Sequence, residues 1–258
     1  MLLLVPVLVG MTGCNDPKER FGRTWYIDGA GNWGFGVLES AVGLEKAGYK
    51  GLVQSYHWSL TFNPALDQTL RFVAKGGGER LGGIISDYLD RFPDANVNVI
   101  GLSAGTGVGI WAIESVRSPH KINNYVMLGS SLSSRYDPSR ALSKMKGKIF
   151  TYFSASDPVL NGAVRALGTI DGTFDDSAGL VGLRARGPNA GRIVNIGWSS
   201  KYERYGWVGG HTDGTSEDMM HYEIGPRIFL PDELGPAAAP RKTAQVDAPA
   251  RRADRGSG

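Results

Sequence analysis

Apolar residues are distributed along the chain in two alternating patterns. Short β-branched or aromatic runs at 23–28, 51–56, 97–102, 122–128, 148–154 and 192–198 read as strands. Between them lie stretches with apolar residues three and four positions apart. Phe35, Val37, Leu38, Ala41, Val42 and Leu44 form one such stripe, closed by Gly48. Leu81, Ile84, Ile85, Tyr88, Leu89 and Phe92 form a second, stopped by Pro93, with the glycines 76–78 expected just before the helix. A helix is also expected over 106–113, and a short one over 138–145. The stretch 57–75 reads as an aromatic-rich loop, and 169–191, rich in Gly and Asp, as a surface loop bordering the site. Thr215 and Asp218 have capping-box spacing for a last helix through Met219, Met220, Tyr222 and Ile224, which Pro226 should keep short. Past residue 230 periodicity vanishes into Ala, Pro and Arg, the signature of a disordered tail.

Composition narrows the class. With 41% hydrophobic and 21% charged residues in 258, the chain can bury one α/β domain. Its net charge of +3 is small, and no basic stripe with interleaved aromatics points to nucleic acid. The single cysteine allows no internal disulfide. An apolar segment too short to span a bilayer leads into Met11-Thr12-Gly13-Cys14, which resembles the lipobox of bacterial lipoproteins. That resemblance implies a signal peptide over 1–13, a lipidated Cys14 holding the chain on a membrane of the bacterial envelope, a linker over 14–22, a folded domain over 23–230 and the tail over 231–258. A buried strand is the competing reading of the first residues.

The chemistry centres on Gly101-Leu102-Ser103-Ala104-Gly105, placed between a strand and a helix. The pentapeptide alone is weak in a chain with 37 glycines, but its context is specific. A turn this sharp puts the serine in a strained conformation and leaves no room for a Cβ two residues before or after it, making Ser103 the candidate nucleophile. Gly107-x-Gly109-x-x-Ala112 formally fits a dinucleotide fingerprint, yet it begins inside the helix instead of at a strand end. The turn Gly29-Ala30-Gly31-Asn32 follows the first strand; Gly29 and Ala30, with Ala104, are candidate oxyanion donors, against a plain turn or a phosphate nest. Asp157, just past a strand and before Pro158, either orients a histidine or caps a helix. Of His57, His120, His211 and His221, only His211 lies among glycines in a loop after the last strand, where an imidazole can reach the serine.

The order Ser103, Asp157, His211 resembles that of small bacterial α/β-hydrolases of the lipase and esterase type, over about 23–229. The resemblance implies a mostly parallel sheet flanked by helices on both faces, trimmed because two usual first strands have no room before Trp25. It also implies a Ser-His-Asp triad working through an acyl-enzyme on small-molecule or lipid esters, with no cofactor, metal or protein partner. No His-Glu-x-x-His, cysteine cluster or P-loop is present in the sequence. Absence of a charged cluster in the site loops favours uncharged esters, and Trp33, Tyr56, Trp58 and Phe62 are candidates either for an acyl pocket or for the core. A thioesterase, an amidase or an acyltransferase would use the same residues. So would, without catalysis, an anchored envelope protein that keeps the fold.

Overall fold

Six short strands pair in one all-parallel sheet in the computed structural model, which describes residues 16–184 and 187–230. They are β1 (Arg23–Ile27), β2 (Leu52–Tyr56), β3 (Val97–Leu102), β4 (Asn124–Leu128), β5 (Ile149–Phe153) and β6 (Ile193–Gly197), in the order β2-β1-β3-β4-β5-β6. Residues 1–13, expected to be a signal peptide, Cys14, expected to be lipidated, and 231–258, expected to be a disordered tail, lie outside the described residues. Among the described residues, no helix is long and apolar enough to cross a membrane.

The unbroken apolar runs have a direct cause. Trp25, Ile27, Val99, Tyr125 and Met127 pack on one face of the sheet, and Tyr26, Ile100, Val126, Phe150 and Tyr152 on the other. Successive side chains point to opposite faces, so a strand covered on both sides has no polar position to alternate with. One face is covered by α3 (Arg71–Arg91) and α4 (Gly105–Ser115). The other is covered by α1 (Val37–Lys46) and a C-terminal helical run. The sheet with helices on both faces, and no strand before β1 among the described residues, is the trimmed α/β-hydrolase arrangement.

Several elements differ from the sequence expectation. The 57–75 stretch contains α2 (Pro64–Thr69), capped by the Asn63 side chain accepting from the N–H groups of Ala65 and Leu66, and α3 already begins at Arg71. The three glycines therefore lie within α3. One of them, Gly78, together with Gly82 one turn on, lets two helices meet: a Cβ on Gly78 would stand 2.7 Å from Val108 O and one on Gly82 2.6 Å from Ala112 O, both on α4. Tertiary contact here outweighs the low helix propensity of glycine. Within the apolar stripe of α3, Leu81, Ile85, Tyr88 and Leu89 are buried while Ile84 is exposed. The short helix expected over 138–145 is α5 (Ser139–Ser143).

The segment 169–191, which follows the short α6 (Arg165–Leu167), is not a surface loop throughout. Thr169, Ile170, Ser177 and Leu183 are buried, α7 (Ala178–Val181) packs on β5, and Gly179 accepts from Ser154 N while donating to Ser130 O. Backbone pairing to the sheet's end loops stands in for side-chain periodicity. At the C-terminus the cap is Ser216, whose hydroxyl accepts from Met219 N, instead of Thr215. From there α8 (Glu217–Met219), a wider turn over Met220–Ile224 and α9 (Gly225–Ile228) follow without a break. Pro226 sits in the first turn of α9, where its missing N–H is tolerated, so the proline does not end the run.

Candidate active site

In an open parallel sheet, a crevice forms at the carboxyl ends of the two adjacent strands whose connections leave in opposite directions. Here those strands are β1 and β3, because the chain goes outward from β1 to β2 and returns across β1 to β3. The turn after β1 carries Gly29 and Ala30. The turn after β3 carries Ser103.

Ser103 has φ +52°, a left-handed conformation uncommon for a residue with a Cβ. Its N–H donates to Leu128 O at 2.9 Å, and its carbonyl accepts from Thr106 N at 3.0 Å, Thr106 Oγ1 at 2.5 Å and Ser131 N at 3.3 Å. These bonds hold the strained residue from both sides. The flanking glycines meet backbone: a Cβ on Gly101 would stand 2.9 Å from Gly105 O, and one on Gly105 would collide with the carbonyls of Ile27 and Asp28.

His211 and Asp157 meet. Nδ1 of His211 lies 2.7 Å from Asp157 Oδ2, and Asp157 is only 1% exposed. Its other oxygen, Oδ1, accepts from Val159 N at 2.9 Å and Leu160 N at 3.0 Å. The two sequence readings of Asp157, cap and histidine partner, are thus both realised, one on each oxygen. Asp213 holds the histidine loop by accepting from Gly210 N at 2.8 Å and Val208 N at 3.2 Å. Beneath the ring lies Gly129, where a Cβ would come within 3.2 Å of His211 Nδ1. Sequence reading missed Gly129, since a close approach to a residue far along the chain leaves no local pattern. The remaining histidines are elsewhere: His57 is exposed, His120 binds Asp90 at 2.6 Å, and His221 stacks on Tyr222.

Ser103 and His211 line one cavity of about 490 Å³, together with Gly29, Ala30, Trp33 and Gln68. No direct hydrogen bond joins the hydroxyl to the imidazole. Such contacts are often long in the absence of substrate and tighten in its complex. The helical segment after Asp157 forms one wall through Val159, Ala163, Val164 and Leu167, and among the described residues no Asp, Glu, Lys or Arg side chain lines the space. Of the four aromatics named from the sequence, only Trp33 lines it. Trp58 is buried and donates its indole N–H to Asp28 O at 2.9 Å, Tyr56 donates to Gly77 O at 2.9 Å, and Phe62 is exposed.

The expected donors differ in availability. The N–H of Gly29 is taken up by Asp28 Oδ1 at 2.7 Å, which removes it as a free donor. The N–H groups of Ala30 and Ala104 have no acceptor among the described residues. Asp28 also accepts from Gly34 N at 2.6 Å and is nearly fully buried. Burial raises its pKa above the ordinary value, opposed by the N–H groups of Gly34, Gly29 and Phe35 and by the nearby His57.

No protein-family model matches the chain, and no curated protein sequence is similar to it. Three of the solved structures similar to the chain illustrate the likeness. A pyrethroid hydrolase, PytH, is 12% identical, covering 80% of this chain and 95% of its own, with a TM-score of 0.45. The RedJ thioesterase of the prodiginine pathway of Streptomyces coelicolor is 12% identical, covering 82% and 92%, with a TM-score of 0.40. A dienelactone hydrolase from Anabaena variabilis is 18% identical, covering 69% and 76%, with a TM-score of 0.38. The fold is therefore read from the strand order and the turn at Ser103.

Proposed function

We propose that the protein is a serine hydrolase that cleaves uncharged carboxylic esters through an acyl-enzyme. One observation carries this reading: a serine in a left-handed turn at the sheet's switch point shares a cavity with an imidazole whose far nitrogen is held by a buried carboxylate. In the proposed reaction, His211 Nε2 takes the proton of Ser103 as Oγ attacks the ester carbonyl carbon. Asp157 keeps the proton on Nδ1 and stabilises the imidazolium. The N–H groups of Ala30 and Ala104 receive the oxyanion. Collapse of the tetrahedral intermediate expels the alcohol, which takes its proton from the imidazolium. Water, activated by the same histidine, then releases the acid. The cavity's volume lies within the range of small-molecule sites, and its apolar walls suit a neutral acyl group.

Labelling with a fluorophosphonate tests the nucleophile. Native protein should label and Ser103→Ala should not; equal labelling, or none in either, rejects the reading. Rates on p-nitrophenyl esters of rising chain length, set against thioester and amide analogues, then separate esterase from thioesterase or amidase action.

A further inference from the structure

Two consecutive residues of α2, Asp67 and Gln68, are buried on a helix whose other side chains are largely exposed. Asp67 is 0% exposed, and its two oxygens have separate duties. Oδ2 accepts from Gly31 N at 2.8 Å, in the turn after β1, while Oδ1 accepts from Thr61 Oγ1 at 2.7 Å. No cation is paired with it among the described residues. A buried carboxylate is costly to desolvate, so its bonds to the turn are the compensation the fold provides.

Those bonds fall in a revealing pattern. In the turn, Gly29 N is taken by Asp28, Gly31 N by Asp67, and Asn32 N by Gly29 O at 3.2 Å. Between them stands Ala30, whose N–H has no acceptor among the described residues and which lines the cavity beside Ser103. Carboxylates on both sides thus leave a single donor open. Gln68 braces the helix that presents Asp67: its Nε2 donates to Gly168 O at 2.9 Å, and its Oε1 accepts from Ser131 Oγ at 3.3 Å.

We infer that Asp67 is a positioning residue for the oxyanion donor: it fixes the peptide at Gly31 so that the N–H of Ala30 is held ready for the oxyanion that forms when Ser103 attacks the carbonyl carbon. The inference rests on the serine-hydrolase reading above. A preorganised donor acts on the transition state and little on the ground state, so its displacement should lower kcat with small effect on KM.

The test compares Asp67→Ala, Asp67→Asn and Thr61→Ala, with kcat normalised to sites titrated by the fluorophosphonate. Loss of a whole oxyanion donor costs about 100- to 1000-fold in kcat, and a displaced one should cost about 10- to 100-fold. Asp67→Ala should therefore lose kcat by about that factor with KM within about two-fold, and binding of a boronic-acid transition-state analogue should weaken in step. Asp67→Asn should recover most of the rate, because its carbonyl can still accept from Gly31 while its amide donates to Thr61 Oγ1. Thr61→Ala should stay near the native rate. If Asp67→Ala does not fold, Asp67→Ser, too short to reach Gly31, carries the same expectation. Native kcat per titrated site in the Ala or Ser variant, or equal losses in Asp67→Ala and Thr61→Ala, overturns the inference while leaving the hydrolase reading intact. Native protein that neither labels nor turns over esters overturns both.

Discussion

The two halves of the candidate site are held by different forces. On the nucleophile side, Ser103 is placed by backbone sterics: a left-handed φ, two glycines that meet main-chain atoms, and hydrogen bonds to adjacent turns. Facing it, the imidazole and the turn after β1 are placed by side-chain carboxylates. Asp157 holds His211, Asp213 holds the histidine loop, and Asp28 and Asp67 hold the Gly29–Gly34 turn. The lesson is that one half should respond to added volume and the other to changes in hydrogen bonding and protonation.

Asp157→Asn should break the second half most severely. An asparagine can keep the cap on Val159 and Leu160, since Asn and Asp cap helices equally well, but its amide cannot accept from Nδ1 and forces the other tautomer on the ring. A fall of about 10⁴ in kcat with an unchanged melting temperature is expected, from the size of the same exchange in a Ser-His-Asp triad. Measured together, the two quantities separate the residue's two duties; a melting temperature that falls with the rate would show that they are not separable.

Gly105→Ala should break the first half. The new methyl would meet the carbonyls of Ile27 and Asp28, which belong to β1 and its turn and have little freedom to yield. Overpacking against backbone should cost about 3 kcal/mol, visible as a melting temperature lower by roughly 6–12 °C. Retention of the native melting temperature would mean the elbow is not sterically defined.

A smaller effect sharpens the contrast. Because burial raises the pKa of Asp28 above its ordinary 3.8, the folded chain holds that proton more tightly than the unfolded one. Its contribution to stability is therefore full below 3.8 and is lost as pH rises through the folded-state value. The melting-temperature advantage of native protein over Asp28→Asn should accordingly shrink from pH 4 to pH 7. An advantage that grows over that range reverses the sign and rejects burial as the dominant influence.

Much of the fold was legible because its causes are local or periodic. Strand runs, the α1 and α3 stripes and the Gly-x-Ser-x-Gly turn all express constraints that act within a few residues. Where reading failed, a distant contact had overridden local preference. The glycines of α3 look like a break until α4 is laid against them, and 169–191 looks like surface until its backbone pairs with the sheet's end loops. Asp67 and Gln68 lay unnoticed in a stretch read as loop, because a buried acid facing a main-chain N–H has no sequence pattern.

The amino-acid sequence by itself determined the six strands, the stripes of α1 and α3 and the sharp turn at Ser103, since side-chain periodicity and steric exclusion around a tight turn are written in neighbouring residues. Only the tertiary structure decided which donors are free and which acid meets which base. His211 and Asp157 are 54 positions apart and Gly31 and Asp67 are 36 apart. A hydrogen bond depends on distance in space, and the sheet, not the order of residues, brings those groups together.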